Sequence, residues 1–215
     1  MPDEVDPATT DGAAPSGSAP LSRSAAREAT RQAILRAASE RFAEVGYDRA
    51  TVRQIAAAAG TDPALVIRHF GSKDALFAEM LSSGSRLPAR LIATLDGHAP
   101  GFAERLLRAY LAAWEDPEAS LVLQAAVRSA VSSPIASAAV RAMVQGDILP
   151  AAVAAGYAPE RMTLAGPQML GIAIARYIVR AEPVASLPID DLVALMLPGF
   201  EALIGEPSER GAAAE

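Results

Sequence analysis

TVRQIAAAAGTDPALVIRHF, residues Thr51 to Phe70, reads as two short helices joined by a tight turn. Thr51-x-x-Gln54 has the form of a capping box, in which the threonine hydroxyl takes the Gln54 amide and the Gln54 side chain reaches back. Ile55, Ala58 and Ala59 follow as a narrow apolar stripe of small residues. Gly60 can end the first helix in a left-handed conformation. Asp62-Pro63 restarts the chain with a capping carboxylate and a proline at the first helical position. Val66 and Phe70 are four apart and share one inward face. The other face presents Pro63, Ala64, Leu65, Ile67 and Arg68. Helix, glycine turn, helix is the helix-turn-helix layout, whose second helix enters the DNA major groove.

Working outward, the surrounding stretch TRQAILRAASERFAEVGYDRATVRQIAAAAGTDPALVIRHFGSKDALF carries further landmarks. They are Ala38, Phe42, Gly46 and Tyr47, then Thr51, Val52, Ile55, Ala56, Gly60, His69, Phe70, Lys73, Leu76 and Phe77. At this spacing they resemble the N-terminal domain of the TetR family of transcriptional regulators. The resemblance implies a double-stranded DNA operator as partner and a phosphate contact for Lys73. Thr51 and His69 are expected on phosphates too, and Arg53 on the DNA. Arg68 is expected to read a guanine, and the apolar side chains beside it to favour thymine methyl groups. Two departures concern base reading. The resemblance implies a tyrosine where Ile67 stands, and polar residues where Pro63 to Leu65 are apolar.

The composition agrees with an all-α chain. Alanine is abundant, aromatics are 5% of 215 residues, and β-branched runs of period two are absent. There is no cysteine, which excludes a disulfide framework and fits a reducing cytoplasm. His69 and His98 sit in unrelated contexts and make no metal site. No signal peptide is evident. The net charge is −6, yet residues 21–74 hold nine Lys/Arg against six Asp/Glu. The basic excess falls on the candidate DNA-binding segment, where a modest excess predicts salt-sensitive binding.

Four segments are expected: a disordered tail over 1–20, a helix-turn-helix domain over 21–72, a helical regulatory and dimerisation domain over 73–205, and a loose tail over 206–215. About nine helices are predicted. The first covers 24–45, with Ile34, Ala38, Phe42 and Val45 on its core face. Arg23, Arg27 and Arg31, near its start, are candidate phosphate contacts. After the two quoted helices, the fourth begins at Ser72-Lys73 and runs to about 95, before a turn containing His98. The fifth covers 102–115, with Phe102, Leu106, Tyr110 and Ala113 on one stripe. Asp116-Pro117 and Ser133-Pro134 start the sixth and seventh by the cap-then-proline rule. The seventh reaches toward 155 and is expected to kink at Pro150. The eighth spans 159–180, and the ninth 188–204 with a kink at Pro198-Gly199. The eighth is apolar enough to raise a membrane reading, but Pro167, Gln168 and Arg176 argue against it, and no membrane partner is expected.

AYLAAWEDP, VRSAVSSP and ARYIVRAEPVAS extend the TetR resemblance into this second domain. It implies a homodimer through the last two helices and, in many members, a small-molecule ligand. Gly166, Leu170, Gly171, Ile174, Ala175 and Ile178 mix small and branched residues suited to close helix approach. Tyr110, Trp114, Gln124, Arg128 and Met143 are the candidate ligand residues, for a small apolar or amphipathic molecule. No nucleophile elbow, phosphate loop, zinc motif or dinucleotide fingerprint is present, so no cofactor or enzyme activity is expected. The carboxylates Glu115, Asp116 and Glu118 sit at a helix boundary, where capping explains them. The reading is a DNA-binding regulator, a homodimeric repressor relieved by a ligand. An enzyme and a helical interaction module are the competing classes.

Overall fold

The computed structural model describes residues 23–84, 86–95 and 100–207. The expectations for the tail over 1–20, for His98 and for the last eight residues lie outside them. Helix α1 (Arg23–Arg49) buries Ile34, Ala38 and Phe42 on the predicted stripe, with Val45 half-buried. At Gly46 the backbone leaves helical geometry with φ +77°, a conformation that glycine adopts without a Cβ penalty, and this turns Tyr47 into the core. Helices α2 (Val52–Ala58) and α3 (Pro63–Phe70) follow. Thr51 Oγ1 accepts from Gln54 N at 3.2 Å while Thr51 N donates to Gln54 Oε1 at 3.1 Å. Asp62 accepts from Ala64 N at 2.7 Å. Both predicted caps are therefore in place. The inward face of α2 differs from expectation: Ala56 is buried with Ile55, while Ala58 is exposed. A helix of two turns has no stripe of its own, and its orientation follows α1 and α3.

Helix α4 (Lys73–Glu79), capped by Ser72 at 3.0 Å, ends sooner than the sequence suggests. A π-helical turn, Met80–Gly84, leads to α5 (Leu87–Ile92). The Ser82 and Ser83 hydroxyls both donate to Glu79 O, drawing that carbonyl away from the regular ladder, and Pro88 lacks an N–H. The body continues with α6 (Phe102–Glu115), α7 (Pro117–Ser132), α8 (Pro134–Met143), α9 (Leu149–Ala154), α10 (Pro159–Ala173) and α11 (Ile189–Ile204). π-Helical turns at Val144–Ile148 and Ile174–Val179 join α8 to α9 and extend α10. Grouped at these turns, the eleven α-helical segments make the nine helical units expected, with no strand among the described residues. Asp116 caps α7 as predicted, accepting from Glu118 N and Ala119 N. Ser133 does not cap α8: its hydroxyl is buried without a hydrogen-bond partner among the described residues.

Two apolar cores result. The first holds the buried faces of α1 to α4 and also Val122, Ala125 and Ala126 of α7 and Ala136 of α8. The second holds the body, with Leu123 on the other side of α7. One further apolar surface stays open. Leu164 and Leu195 are 59% and 74% exposed, and Ile178 and Val179 join them. The segment Pro159–Val179 is long and apolar enough to cross a membrane by length and composition, and only 17% of its most apolar stretch is buried.

Candidate nucleic-acid interface and body core

The short length of α3 fixes its face. Val66 and Phe70 are buried, so the face opposite them turns outward. Ala64, Ile67 and Arg68 are exposed, and Pro63, Leu65 and His69 are half-buried beside them. Arg53 and Thr51 stand exposed at the start of α2. The Thr51 hydroxyl accepts from Gln54, which leaves its own O–H free to donate. Hydrogen bonding on this face of α3 thus falls to Arg68, with His69 at its edge.

Arg68 and His69 are joined by Arg27 of α1, and the three line an open notch of about 310 Å³. Partial burial pushes the His69 imidazolium pKa down, and the charges of Arg27, Arg68 and Arg31 push it further. His69 is a neutral donor in a cationic notch, an arrangement that suits an anion. Arg31 is placed differently from expectation. Its guanidinium pairs with Glu79 and lies 5.4 Å from the Phe70 ring centre, tying α1 to α4 and α3. Arg27, not Arg31, is the arginine of α1 that faces the notch.

Lys73 is also committed inside the protein. Its ammonium donates to Tyr47 O at 3.1 Å and Ala50 O at 3.2 Å, and sits 4.1 Å from the Tyr47 ring centre. The neighbouring Asp74 accepts from the Tyr47 hydroxyl. The Tyr47 ring packs on Phe42 and Phe77, with centroids 5.8 and 5.2 Å away. Lys73 and Asp74 therefore clamp the loop that delivers Thr51 and α2. Two of the three Lys73 donors serve the loop, which leaves one for the phosphate contact expected of it.

The five candidate ligand residues do not line one cavity. Tyr110 and Trp114 are buried in the second core. Gln124 is half-buried and bonded to Ser120 at 3.1 Å. Arg128 is exposed, and its Cγ lies beside Gly46 of α1. Met143 packs on the first core. Helical spacing put them on neighbouring helices, but α7 presents opposite faces to two cores, which separates them. What the spacing missed is Tyr177, whose ring stacks on Trp114 at 5.4 Å and 3°. Its hydroxyl donates to Glu115 at 2.8 Å, and burial together with that carboxylate pushes its pKa well up. Arg176 donates to Val184 O and Leu187 O and lies 5.5 Å from the Tyr177 ring. The Trp114 indole N–H has no hydrogen-bond partner among the described residues. Burial pushes Tyr110 up to about 12, opposed by the nearby indole N–H, whose approach falls short of hydrogen-bond geometry. A pocket of about 670 Å³ opens where the start of α6 meets the end of α11, lined by Phe102, Tyr157 and Glu201 and by none of the five. No cluster of metal-ligating side chains occurs among the described residues.

Residues 34–80 match the family of bacterial regulatory proteins of the tetR type, and residues 101–204 match the tetracyclin repressor-like C-terminal domain. The two matches together cover well over half of the chain. The chain belongs to the TetR family. Among its TetR relatives, the HTH-type transcriptional repressor Rv3405c of Mycobacterium tuberculosis is 39% identical over 94 residues, which is 39% of this chain and 50% of the relative. The HTH-type transcriptional repressor AcnR of Corynebacterium efficiens is 37% identical over 89 residues, 41% of this chain and 43% of the relative. The chain thus spans about half the length of the curated relatives it matches. A TetR-family regulator of Streptomyces coelicolor has a similar structure, with a TM-score of 0.62, 29% identity, and 85% of this chain and 98% of that chain covered. SmeT, solved with triclosan, shares the fold at a TM-score of 0.61 and 19% identity, over 85% of this chain and 94% of its own. The family, Rv3405c, AcnR and the Streptomyces coelicolor protein are regulators and not enzymes.

Proposed function

We propose that this chain is a sequence-specific DNA-binding transcriptional regulator, a homodimeric repressor released by a small molecule. The observation that carries the reading is α3, capped at Asp62, anchored by Val66 and Phe70, and presenting Arg68 beside the notch shared with Arg27 and His69. In this reading α3 lies in the major groove. Arg68 and the apolar Ala64 and Ile67 read bases, and Pro63 and Leu65 flank them. Thr51, Arg53, Arg27 and His69 hold phosphates. Lys73 acts by fixing the loop before α2.

The homodimer is supported by the open apolar face of α10 and α11. A Cβ placed at Gly166, Gly171 or Gly199 would meet nothing within 4 Å, so a second copy could approach the backbone closely. Of the six expected dimer residues, Gly166, Gly171 and Ile178 are exposed, while Leu170, Ile174 and Ala175 are half-buried. A two-fold arrangement would set the two α3 helices one DNA turn apart, about 34–36 Å, or a multiple of it. Ligand release is supported by the unsatisfied Trp114 N–H beside Tyr110 and Tyr177, since a buried donor without a partner calls for an acceptor. SmeT and the multidrug binding protein EbrR, both of similar fold, form complexes with triclosan and with imidazole respectively.

The test is a gel shift of the full chain on DNA flanking its own gene, with competitor DNA of scrambled sequence. A specific shift that survives competitor is expected, and loss of sequence preference in Arg68→Ala. Uniform binding to all sequences, or none, overturns the reading.

A further inference from the structure

Where α1 of the head meets α7 of the body, the two helices leave a cavity of about 430 Å³ that belongs to neither the recognition face nor the Trp114 cluster. Its wall is built in two layers. Leu35 and Val122 are buried and Leu121 is half-buried, giving an apolar patch that adjoins buried Ser39, with exposed Gln32 and Ser83 beside it. Arg36 of α1, Arg86 just before α5 and Glu118 of α7 are exposed at the rim. Neither arginine makes an ion pair with the described residues, whereas Arg31, Arg41, Arg90, Arg108 and Arg176 all do. The rim thus carries two uncommitted guanidinium groups against one carboxylate. A concavity of this size, with an aliphatic patch and a few polar and charged groups around it, is the build of a small-molecule site.

We propose that this head–body cavity binds a small amphipathic anion, its carboxylate on Arg36 and Arg86 and its apolar portion on Leu35, Leu121 and Val122. A planar guanidinium matches a carboxylate in two-point geometry, and the partly enclosed setting strengthens that pairing relative to open water. The apolar portion gains by burial against the three aliphatic side chains. Glu118 sets a limit on charge, since a dianion would bring a second negative group toward it. The occupant touches the head through α1 and the body through α7, so its affinity depends on their spacing. To the extent that it prefers one spacing, it biases the head toward it.

The test is equilibrium dialysis of the full chain against radiolabelled octanoate, with octanamide as the neutral counterpart. Saturable binding of one octanoate per chain is expected, with octanamide at least tenfold weaker. The double variant Arg36→Gln, Arg86→Gln should bind octanoate at least tenfold more weakly while keeping its helical signal and melting temperature, because both side chains are exposed and unpaired. Leu121→Trp, which fills the interior, should reduce the affinity of octanoate and octanamide alike. Absence of saturable octanoate binding, or equal affinity in the double arginine variant, overturns the proposal. None of these readouts involves DNA, so the outcome is independent of the repressor reading.

Discussion

Lys73→Met separates an internal role for this lysine from a role on the DNA backbone. Methionine keeps much of the unbranched stem and removes the ammonium. The change deletes two N–H···O bonds, at 3.1 and 3.2 Å, and a cation over the Tyr47 ring. Hydrogen bonds from a charged donor contribute about 1.5–3 kcal/mol each, and a cation–π interaction near the surface about 0.5–1 kcal/mol. Lys73 is only half-buried, so water recovers much of the loss at both carbonyls. A net cost of about 2–3 kcal/mol remains. In a chain of this size each kcal/mol corresponds to roughly 2–4 °C, so the melting temperature should fall by about 4–12 °C. The same variant is then titrated with duplex DNA over a series of salt concentrations. If the Lys73 ammonium neutralised a phosphate, its removal would lower the slope of log affinity against log salt by about one unit. The clamp predicts weaker binding with the slope changed by well under one unit. A melting temperature within about 1 °C of wild type, together with a slope lowered by one unit, would refute the internal role.

Three other outcomes follow from the same geometry. His69 has its pKa lowered in the free protein, and a phosphate beside it would raise it again, so DNA binding takes up a proton. Affinity for DNA should therefore rise as pH falls from 8 toward and below 6.5, and His69→Gln should flatten that dependence; a wild-type profile already flat would exclude His69 from the interface. Asp116→Ala should cost about 1–2 kcal/mol in urea unfolding, because the carboxylate caps α7 and pairs with Arg90 at 2.8 Å. The Ala119 N–H, and then Arg90, hold its pKa below the ordinary 3.8, so its contribution is present above that value and fades as pH falls through the lowered one. Wild type and variant should then converge in acid, and a constant gap down to pH 2 would point to another cause. Leu195→Asp should give a folded monomer in sedimentation velocity, since Leu195 is 74% exposed and contributes little to its own subunit; an intact dimer would place the interface elsewhere.

The helix ends were legible wherever a local rule sufficed. Thr51 with Gln54, Asp62 with Pro63, and Asp116 with Pro117 are pairings within three residues, so the sequence contains all the parties. α6 came out at the predicted 102–115 because Phe102, Leu106, Tyr110 and Ala113 bury one stripe. The failures are non-local. Ser133-Pro134 has the same local form as Asp116-Pro117, yet its hydroxyl makes no cap and is buried without a partner among the described residues. Spacing placed Arg128 and Met143 near Trp114, and no local signal reveals that α7 is shared between two cores. The loop-clamping partners of Lys73 were equally hidden, because they are backbone carbonyls of Tyr47 and Ala50, which any sequence would supply. The stacking of Tyr177 on Trp114 joins α6 to the end of the α10 rod, and neither period nor spacing relates two residues so far apart.

Sharing α7 between the cores has a consequence for anyone who would rewire a protein of this fold. DNA-reading heads invite transplantation: a new specificity grafted onto an existing sensor. Here the head's interior is completed by Val122, Ala125, Ala126 and Ala136, contributed from beyond the end of the matched N-terminal segment at residue 80. A graft joined at that point would set a foreign head on side chains shaped for Ile34, Phe42 and Leu76. The unit that can be exchanged is therefore discontinuous in the gene. It consists of α1 to α4 with Met80 and Leu81, together with one face of α7 and one face of α8.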